Sequence, residues 1–311
     1  EKGGLKSFKE GKFEEELGNP DRKGSLKIKG SFLIKDEVVF PLPMDLLKGK
    51  RENDLHNLTL SKRPEIFISD YIMDKVLICK ETEDTEKIEG YITAIYLHYY
   101  LSGRNSLRFI GEDEIYTVEP KTGITRNDTT KSTMEGFLYR IPMIRLKKDV
   151  SIAVLLDGIT AFPESGIIQL GGEGKTARIE KIENNMLQEI EEINLNLENR
   201  LFKVYLATPT IFEKGYLPKW IDENSLNGRY NGIELKLVCC AIGKCKLIGG
   251  WDMAKNKPKP SLKAVPAGSV YYFEILDNSD IKKIKDTFHF KNISDVYPEE
   301  GYGLALIGSV L

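Results

Sequence analysis

The sequence predicts an α+β fold, and three observations carry that reading. Strand-type runs outnumber helical ones, the helical patterns fall between strands, and 311 residues suffice for two domains rather than one. A chain of this length buries roughly 75% of its unfolded surface. Its 41% apolar and 30% charged residues are those of an ordinary globular protein, so a packed core is expected without disulfide or metal staples.

Residues 1 to 25 are polar and glycine-rich and read as a mobile segment or excursion rather than the start of a packed domain. "SLKIKGSFLIKDEVVFPLPMDLL" then alternates apolar and polar positions until Pro41 and Pro43 stop it, the pattern of a short hairpin. Charged spacers at 48 to 65 and 80 to 89 read as loops. From Gly136 to Asp157, "GFLYRIPMIRLKKDVSIAVLLD" predicts two strands paired across a Lys-Lys-Asp turn. Over 184 to 199, Met186, Leu187, Ile190 and Ile193 recur on one helical face opposite acids, predicting either a surface helix or the bridge between domains, with the boundary near 195. The domains are thus 1–195 and 196–311.

The second half reads as strands over Phe202 to Thr208, Ile233 to Ile242, around Leu247, Ser269 to Leu276 and Gly303 to Ile307. A helix carrying Ile281, Ile284 and Phe288 precedes the last strand, with Ser279 or Asp280 as its N-cap.

Composition narrows the function. The first twenty residues lack an apolar stretch, and no run of eighteen apolar residues occurs, so no secretory signal or membrane span is expected and the cytoplasm is the expected compartment. Cys79, Cys239, Cys240 and Cys245 form no CxxC pair, which favours reduced thiols over zinc or disulfides; no cofactor or metal is expected. The 45 basic and 47 acidic residues leave a formal charge of -2, so nucleic-acid binding must rest on local patches. Two stand out. Lys244 to Lys263 holds six lysines against Asp252 alone, and Glu119 to Lys148 holds seven basic residues against three acids.

Four stretches carry candidate chemistry, each beside a plainer reading. In "GIIQLGGEGKTARIE", Gly171, Gly172 and Gly174 permit close backbone approach to a phosphate, with Lys175 and Arg178 supplying charge. Gln169 breaks the P-loop spacing, and a hairpin turn explains the glycines equally well. "EPKTGITRNDTTKSTMEG", 119 to 136, reads either as a surface loop or as a hairpin that carries Arg126 and Lys131 to phosphates. "IGGWDMAKNKPKPSLKAVPAGSVYYFEI" joins Trp251 to Lys255 and Lys257 and to a Tyr271-Tyr272-Phe273 strand; aromatic faces that stack on bases beside backbone-tracking lysines suit single-stranded nucleic acid. Phe273 fits a core position as well. In "PEEGYGLALIG", Gly301, Tyr302 and Gly303 form a turn ahead of a buried strand, and Glu299 and Glu300 disfavour a phosphate there.

Catalytic patterns are weak. His56, His98 and His289 are scattered, and neither GxSxG nor HExxH occurs. A metal-free ribonuclease needs only one His or Lys plus a Tyr.

These stretches, with "VYLATPTIFEKGYLP" and "EGFLYRIPMIRL", resemble the RAMP superfamily of CRISPR-associated proteins, and within it the third-subunit family of the type III-B (Cmr) effector complex. The resemblance runs from about residue 24 onward and is most specific in "IGGWD…PKP…VPAGSVYYF". It implies two ferredoxin-like (RRM-like) domains in tandem with a projecting β-hairpin insertion, Thr122 to Met134 being the thumb. It also implies a non-catalytic subunit that grips the 5′ repeat-derived tag of crRNA and pairs with the large polymerase-like subunit and other RAMP subunits. By position, the RNA-contacting residues would be Arg126, Lys131, Gly171, Gly172, Lys175, Arg178, Trp251, Lys255, Lys257, Gly301, Tyr302 and Gly303. Family members open with a strand and helix holding an "FR.GRPF"-like stretch, and nothing like it opens this sequence; either residues are missing from it or another chain or segment completes the first domain, since a ferredoxin-like sheet lacking its first strand would expose an edge and an apolar face. The rival expectation is a Cas6-like endoribonuclease, which shares these domains and glycine loops and would use His56, His98 or a nearby Tyr.

Overall fold

The computed structural model describes residues 14–19, 22–50, 54–65, 72–81, 84–126, 129–130, 132–159, 162–170, 175–182, 186–197, 200–252 and 255–310. Its architecture is mixed and mostly strand, with few helices.

The expected hairpin forms as β1 (Lys27–Lys35) and β2 (Glu37–Pro41), reversed at Asp36, whose φ of 62° lies in the left-handed region that Asp tolerates. Alternation directs Phe32, Val38 and Phe40 to one face, where the Phe32 and Phe40 rings meet edge to face at 5.2 Å. β3 (Gly90–Thr93) lies beside β2 and runs into α1 (Ala94–Leu101); β4 (Ile110–Gly111) closes that edge. β5 (Tyr116–Arg126) and β6 (Thr133–Leu146) follow, then β7 (Val150–Asp157). The first sheet has five strands in the order β4-β3-β2-β1-β7.

The predicted pairing of 136–146 with 150–157 is corrected. β6 pairs with β5 from Tyr116↔Leu146 to Arg126↔Thr133, whereas β7 pairs with β1 from Val150↔Lys35 to Asp157↔Lys27. Lys147 to Asp149 therefore leads the chain from one ladder to another. Strand pairing follows side-chain burial: β7 on β1 sets Ala153 and Leu155 on the core side, and Leu155 packs there. The segment 14–25, expected to be mobile, forms a helical turn at Glu14–Leu17 and a small ladder of Gly18–Asn19 with Arg22–Lys23. The charged spacers likewise contain short strands, among them Leu55–Asn57 and Thr59–Lys62.

Among the described residues of the helix expected over 184–199, Gln188–Glu191 alone are helical. Asn194 and Asn196, with β-branched Ile190 and Ile193, weaken helix propensity. Burial of Leu187, Ile190 and Ile193 fixes the segment without regular structure.

β8 (Ser165–Gln169) and β9 (Thr176–Glu180) make a separate two-stranded ladder. The second sheet comprises β10 (Leu201–Leu206), β11 (Asn227–Tyr230), β12 (Ile233–Ala241), β17 (Val270–Ile275), β18 (Lys291–Asn292) and β19 (Leu304–Ser309), in the order β11-β12-β17-β10-β19-β18 and antiparallel throughout. Between β12 and β17 the chain makes an arm of β13 (Lys246–Ile248), β14 (Trp251–Asp252), β15 (Lys257–Pro258) and β16 (Leu262–Ala264). α2 (Ile281–Phe288) begins at Asp280, whose carboxylate accepts the Lys283 N–H at 2.8 Å.

Both faces of the second sheet are buried. Phe202, Val204, Tyr271, Phe273 and Ile307 face Ile284 and Phe288 of α2, whereas Tyr205, Val270, Tyr272, Leu304 and Leu306 share a core with Phe40, Ile92, Leu97 and Leu101 of the first half. Polar groups are buried within that shared core. Asp45 accepts hydrogen bonds from the Tyr100 and Tyr272 hydroxyls, and the Lys203 ammonium lies 3.4 Å from the Tyr100 ring centre. Burial pushes Lys203 down to about 8, against the attraction of Asp45.

Candidate nucleic-acid interface

Trp251 stands on the arm, half exposed at 53% and opposite Pro258 across the β14–β15 ladder. The turn beyond it is set locally: the Asp252 carboxylate accepts the Lys255 N–H at 2.9 Å, and Asn256 adopts φ of 48°. Lys255 and Lys257 are exposed on this turn. An indole face beside mobile ammonium groups can stack on a base and meet a phosphate.

The Tyr271-Tyr272-Phe273 strand does not join this surface. All three side chains are at most 3% exposed: Tyr271 and Phe273 pack under α2, and Tyr272 turns to Asp45. The expectation that Tyr271 or Tyr272 stacks on bases is therefore corrected. A central strand of a sheet covered on both faces buries every residue, so alternation gave no warning.

The C-terminal glycine turn serves packing. Gly301 (φ 92°) and Gly303 (φ 78°) are buried in left-handed conformations that favour glycine. A Cβ on Gly301 would lie 2.9 Å from the Ile28 side chain, and one on Gly303 would fall on the Ser294 backbone. The Gly301 carbonyl accepts from the Thr208 hydroxyl at 2.8 Å, and the Tyr302 carbonyl accepts from the Asn292 amide, which also donates to Lys29. Ile28 N–H donates to Glu299 at 2.8 Å. The turn thus joins the second sheet to β1, while the Tyr302 ring stays partly exposed. Burial and nearby Glu300 raise the Tyr302 hydroxyl above its ordinary range.

The arm and the glycine turn meet at a cluster of charges. Lys259, one residue past β15, donates to the Glu300 carboxylate at 3.1 Å. Lys23, from the first half, pairs with Glu299 and lies 3.7 Å from Glu300. The two ammonium groups lie 5.4 Å (Lys259) and 4.8 Å (Lys23) from the Tyr297 ring centre. The sequence reading missed Lys23, Lys259 and Tyr297; the alternation of lysine and proline in "KPKP" was the signal for Lys259.

The other expected contacts are distributed elsewhere. Lys175 lies exposed at the entrance to β9, its carbonyl accepting the Leu170 N–H. Arg178 is exposed and paired with Glu180 at 2.6 Å. The ladder of β8 and β9 shows a hairpin around the glycines; Gly171, Gly172 and Gly174 themselves lie outside the described residues. Arg126 ends β5, but its side chain, like all of Lys131, lies outside the described residues. Residues opposite each other on β5 and β6 share a face, which sets Val118, Pro120, Ile124, Leu138, Pro142 and Ile144 on one exposed side. The other side carries Glu119, held bidentate by Arg145 at 2.6 and 2.8 Å, which lowers its carboxyl.

The histidines have separate partners. His56 lies 3.6 Å from Glu81, His98 Nδ1 is 2.8 Å from the Glu189 carbonyl, and buried His289 bridges Ile190 and Ile307. All four cysteines are free, and burial pushes Cys240 up to about 12. No helix among the described residues is long and apolar enough to cross a membrane.

A family model described as CRISPR-associated protein (Cas_Cmr3) matches residues 3–310. The chain is 25% identical over 204 residues to the CRISPR system CMR subunit Cmr3 of Saccharolobus solfataricus, a match covering 65% of this chain and 54% of that protein. It thus spans about half the length of that curated relative. Among solved structures, a chain of the type III-B Cmr-beta complex bound to cognate target RNA aligns with a TM-score of 0.44 and 19% identity, covering 90% of this chain and 77% of the other. A chain of the Csm3-Csm4 subcomplex of the type III-A CRISPR-Cas interference complex aligns with a TM-score of 0.34 and 15% identity, covering 91% and 83%.

Proposed function

The chain belongs to the Cas_Cmr3 family of CRISPR-associated proteins, and from that premise we propose that it is a non-catalytic, crRNA-binding scaffold subunit of a type III-B effector complex. In this reading it works in the cytoplasm, grips the 5′ repeat-derived tag of the guide, and docks on the large polymerase-like subunit beside other RAMP subunits. The observation that carries the reading is the half-exposed Trp251 on a lysine-bearing arm, beside a turn too tightly packed to be a nucleotide pocket.

Two features support the finer points. The strand order β12-β17-β10-β19, with α2 between β17 and β19, supports a ferredoxin-like second domain, 196–311, and by analogy a first domain over 1–195. The paired β5 and β6, a two-stranded ladder separate from both main sheets, support the thumb reading for Thr122 to Met134. A non-catalytic role is supported by the separate partners of His56, His98 and His289.

The test is binding of the full chain to a labelled single-stranded RNA across a salt series. Losing a base stack costs about 1–3 kcal/mol, so Trp251→Ala is expected to weaken binding by roughly 5- to 150-fold. Lys257→Ala is expected to make the salt slope shallower by about 0.7, the share of one phosphate contact. Equal affinity of wild type and Trp251→Ala would remove the arm from the RNA site.

A further inference from the structure

The charge cluster at the junction of arm and glycine turn has a composition that an RNA surface would not need for packing alone. Two lysines from distant parts of the chain converge on one tyrosine ring, and each is neutralised by a glutamate on the neighbouring turn. We propose that Lys23 and Lys259 form a phosphate-contact subsite for single-stranded RNA, which Glu299 and Glu300 fill in the RNA-free chain. The proposal rests on the RNA reading above and adds its regulation.

Geometry separates the fixed from the movable partners. Glu299 and Glu300 are anchored by backbone: Ile28 N–H donates to the Glu299 carbonyl, Glu300 N–H donates to the Tyr297 carbonyl, and Ile28 and Glu300 form a parallel bridge. Lys23 and Lys259 reach the site on long, flexible stems from a two-residue strand and from the arm. Their side chains remain 55% and 36% exposed, so a phosphate has access to both. Ion pairs at such exposure contribute little, because solvent screens them and ordering two long side chains opposes them. A phosphate that bridges both ammonium groups is therefore a competitive replacement for the carboxylates, and it releases condensed cations as it binds.

Continuity along the arm fixes the ligand class. Lys259 follows Lys257 by two residues, and its N–H donates to the Gly250 carbonyl next to Trp251. Lys257 and Lys259 flank Pro258 and so share the side of the arm opposite Trp251, where two ammonium groups in succession suit the repeating phosphates of one strand. Exchange of Glu300 for phosphate also lets go of the arm at its ion pair with the glycine turn. RNA arrival and release of the arm from the sheet junction are the same event.

Glu300→Gln in the full chain tests this, with a labelled single-stranded RNA and the salt series already described. Freeing Lys259 is expected to tighten binding several-fold at low salt and to steepen the salt slope by about 0.7. Adding Lys259→Met is expected to abolish that gain. Unchanged or weaker binding by Glu300→Gln, or a gain that survives Lys259→Met, overturns the subsite. If Trp251→Ala still weakens binding in that case, the RNA reading stands and the subsite alone falls; wild-type protein that fails to bind the RNA overturns both.

Discussion

His289 shows how much of a side chain's role depends on its surroundings. Its Nε2 lies 2.8 Å from the Ile190 carbonyl and its Nδ1 accepts the Ile307 N–H at 3.2 Å, which fixes a neutral ring with the proton on Nε2. Burial lowers its pKa to about 4, below the ordinary 6.5 that the unfolded chain keeps. The unfolded state therefore binds the proton first as pH falls. The stabilisation is complete above about pH 6.5 and is lost progressively down through about pH 4, with a total on the order of 3 kcal/mol. A ring titration by NMR is expected to find His289 neutral at pH 5; a midpoint near 6.5 would contradict the buried, doubly bonded ring. Nothing in the sequence marked His289 off from His56 and His98, because its partners come from residues 99 and 18 positions away. Lys203 was equally hidden. It occupies a strand position whose pattern asks for an apolar residue, and the Asp45 and Tyr100 that accommodate it lie far off in sequence.

At the scale of elements, local patterns were legible and distant pairings were not. The apolar–polar alternation before Pro41 marked the β1–β2 hairpin, and Ile281, Ile284 and Phe288 behind an N-cap at Ser279 or Asp280 marked α2. β6 and β7 each read as strands, but the sequence between them looked like a turn, and local proximity gave the wrong partner for both. The glycine turn was legible as a turn ahead of a buried strand. The contact with Ile28 that makes it a seam required the fold. Gly303→Ala tests the seam. The left-handed φ and the overlap with Ser294 are expected to destabilise the protein by more than about 1 kcal/mol, read from the urea midpoint, while Gly249→Ala, with only the Ser261 hydroxyl at 3.5 Å, is expected to change little. Equal midpoints would mean that the turn yields without cost.

The molecule as a whole is held by a core that both sheets share, so the two halves are not independent bodies joined by a linker. Phe40, Leu97 and Leu101 from one half and Tyr205, Tyr272 and Leu306 from the other bury one another. That arrangement leaves the arm, the β5–β6 ribbon and the β8–β9 hairpin outside the main sheets, where exposed Val118, Leu138, Ile144, Ile167, Leu247 and Trp251 lie among the charges. Family, core faces and the basic arm were legible from motifs and alternation; the meeting of Lys23 with Lys259 was not, because 236 positions separate them in the chain. The measurement that bears most directly on the proposed role is binding of crRNA by this chain assembled with its large partner, comparing a guide that carries the repeat-derived 5′ tag with one whose tag is scrambled. Clear preference for the authentic tag, reduced by Trp251→Ala, is expected; equal binding of the two guides would overturn the proposed role.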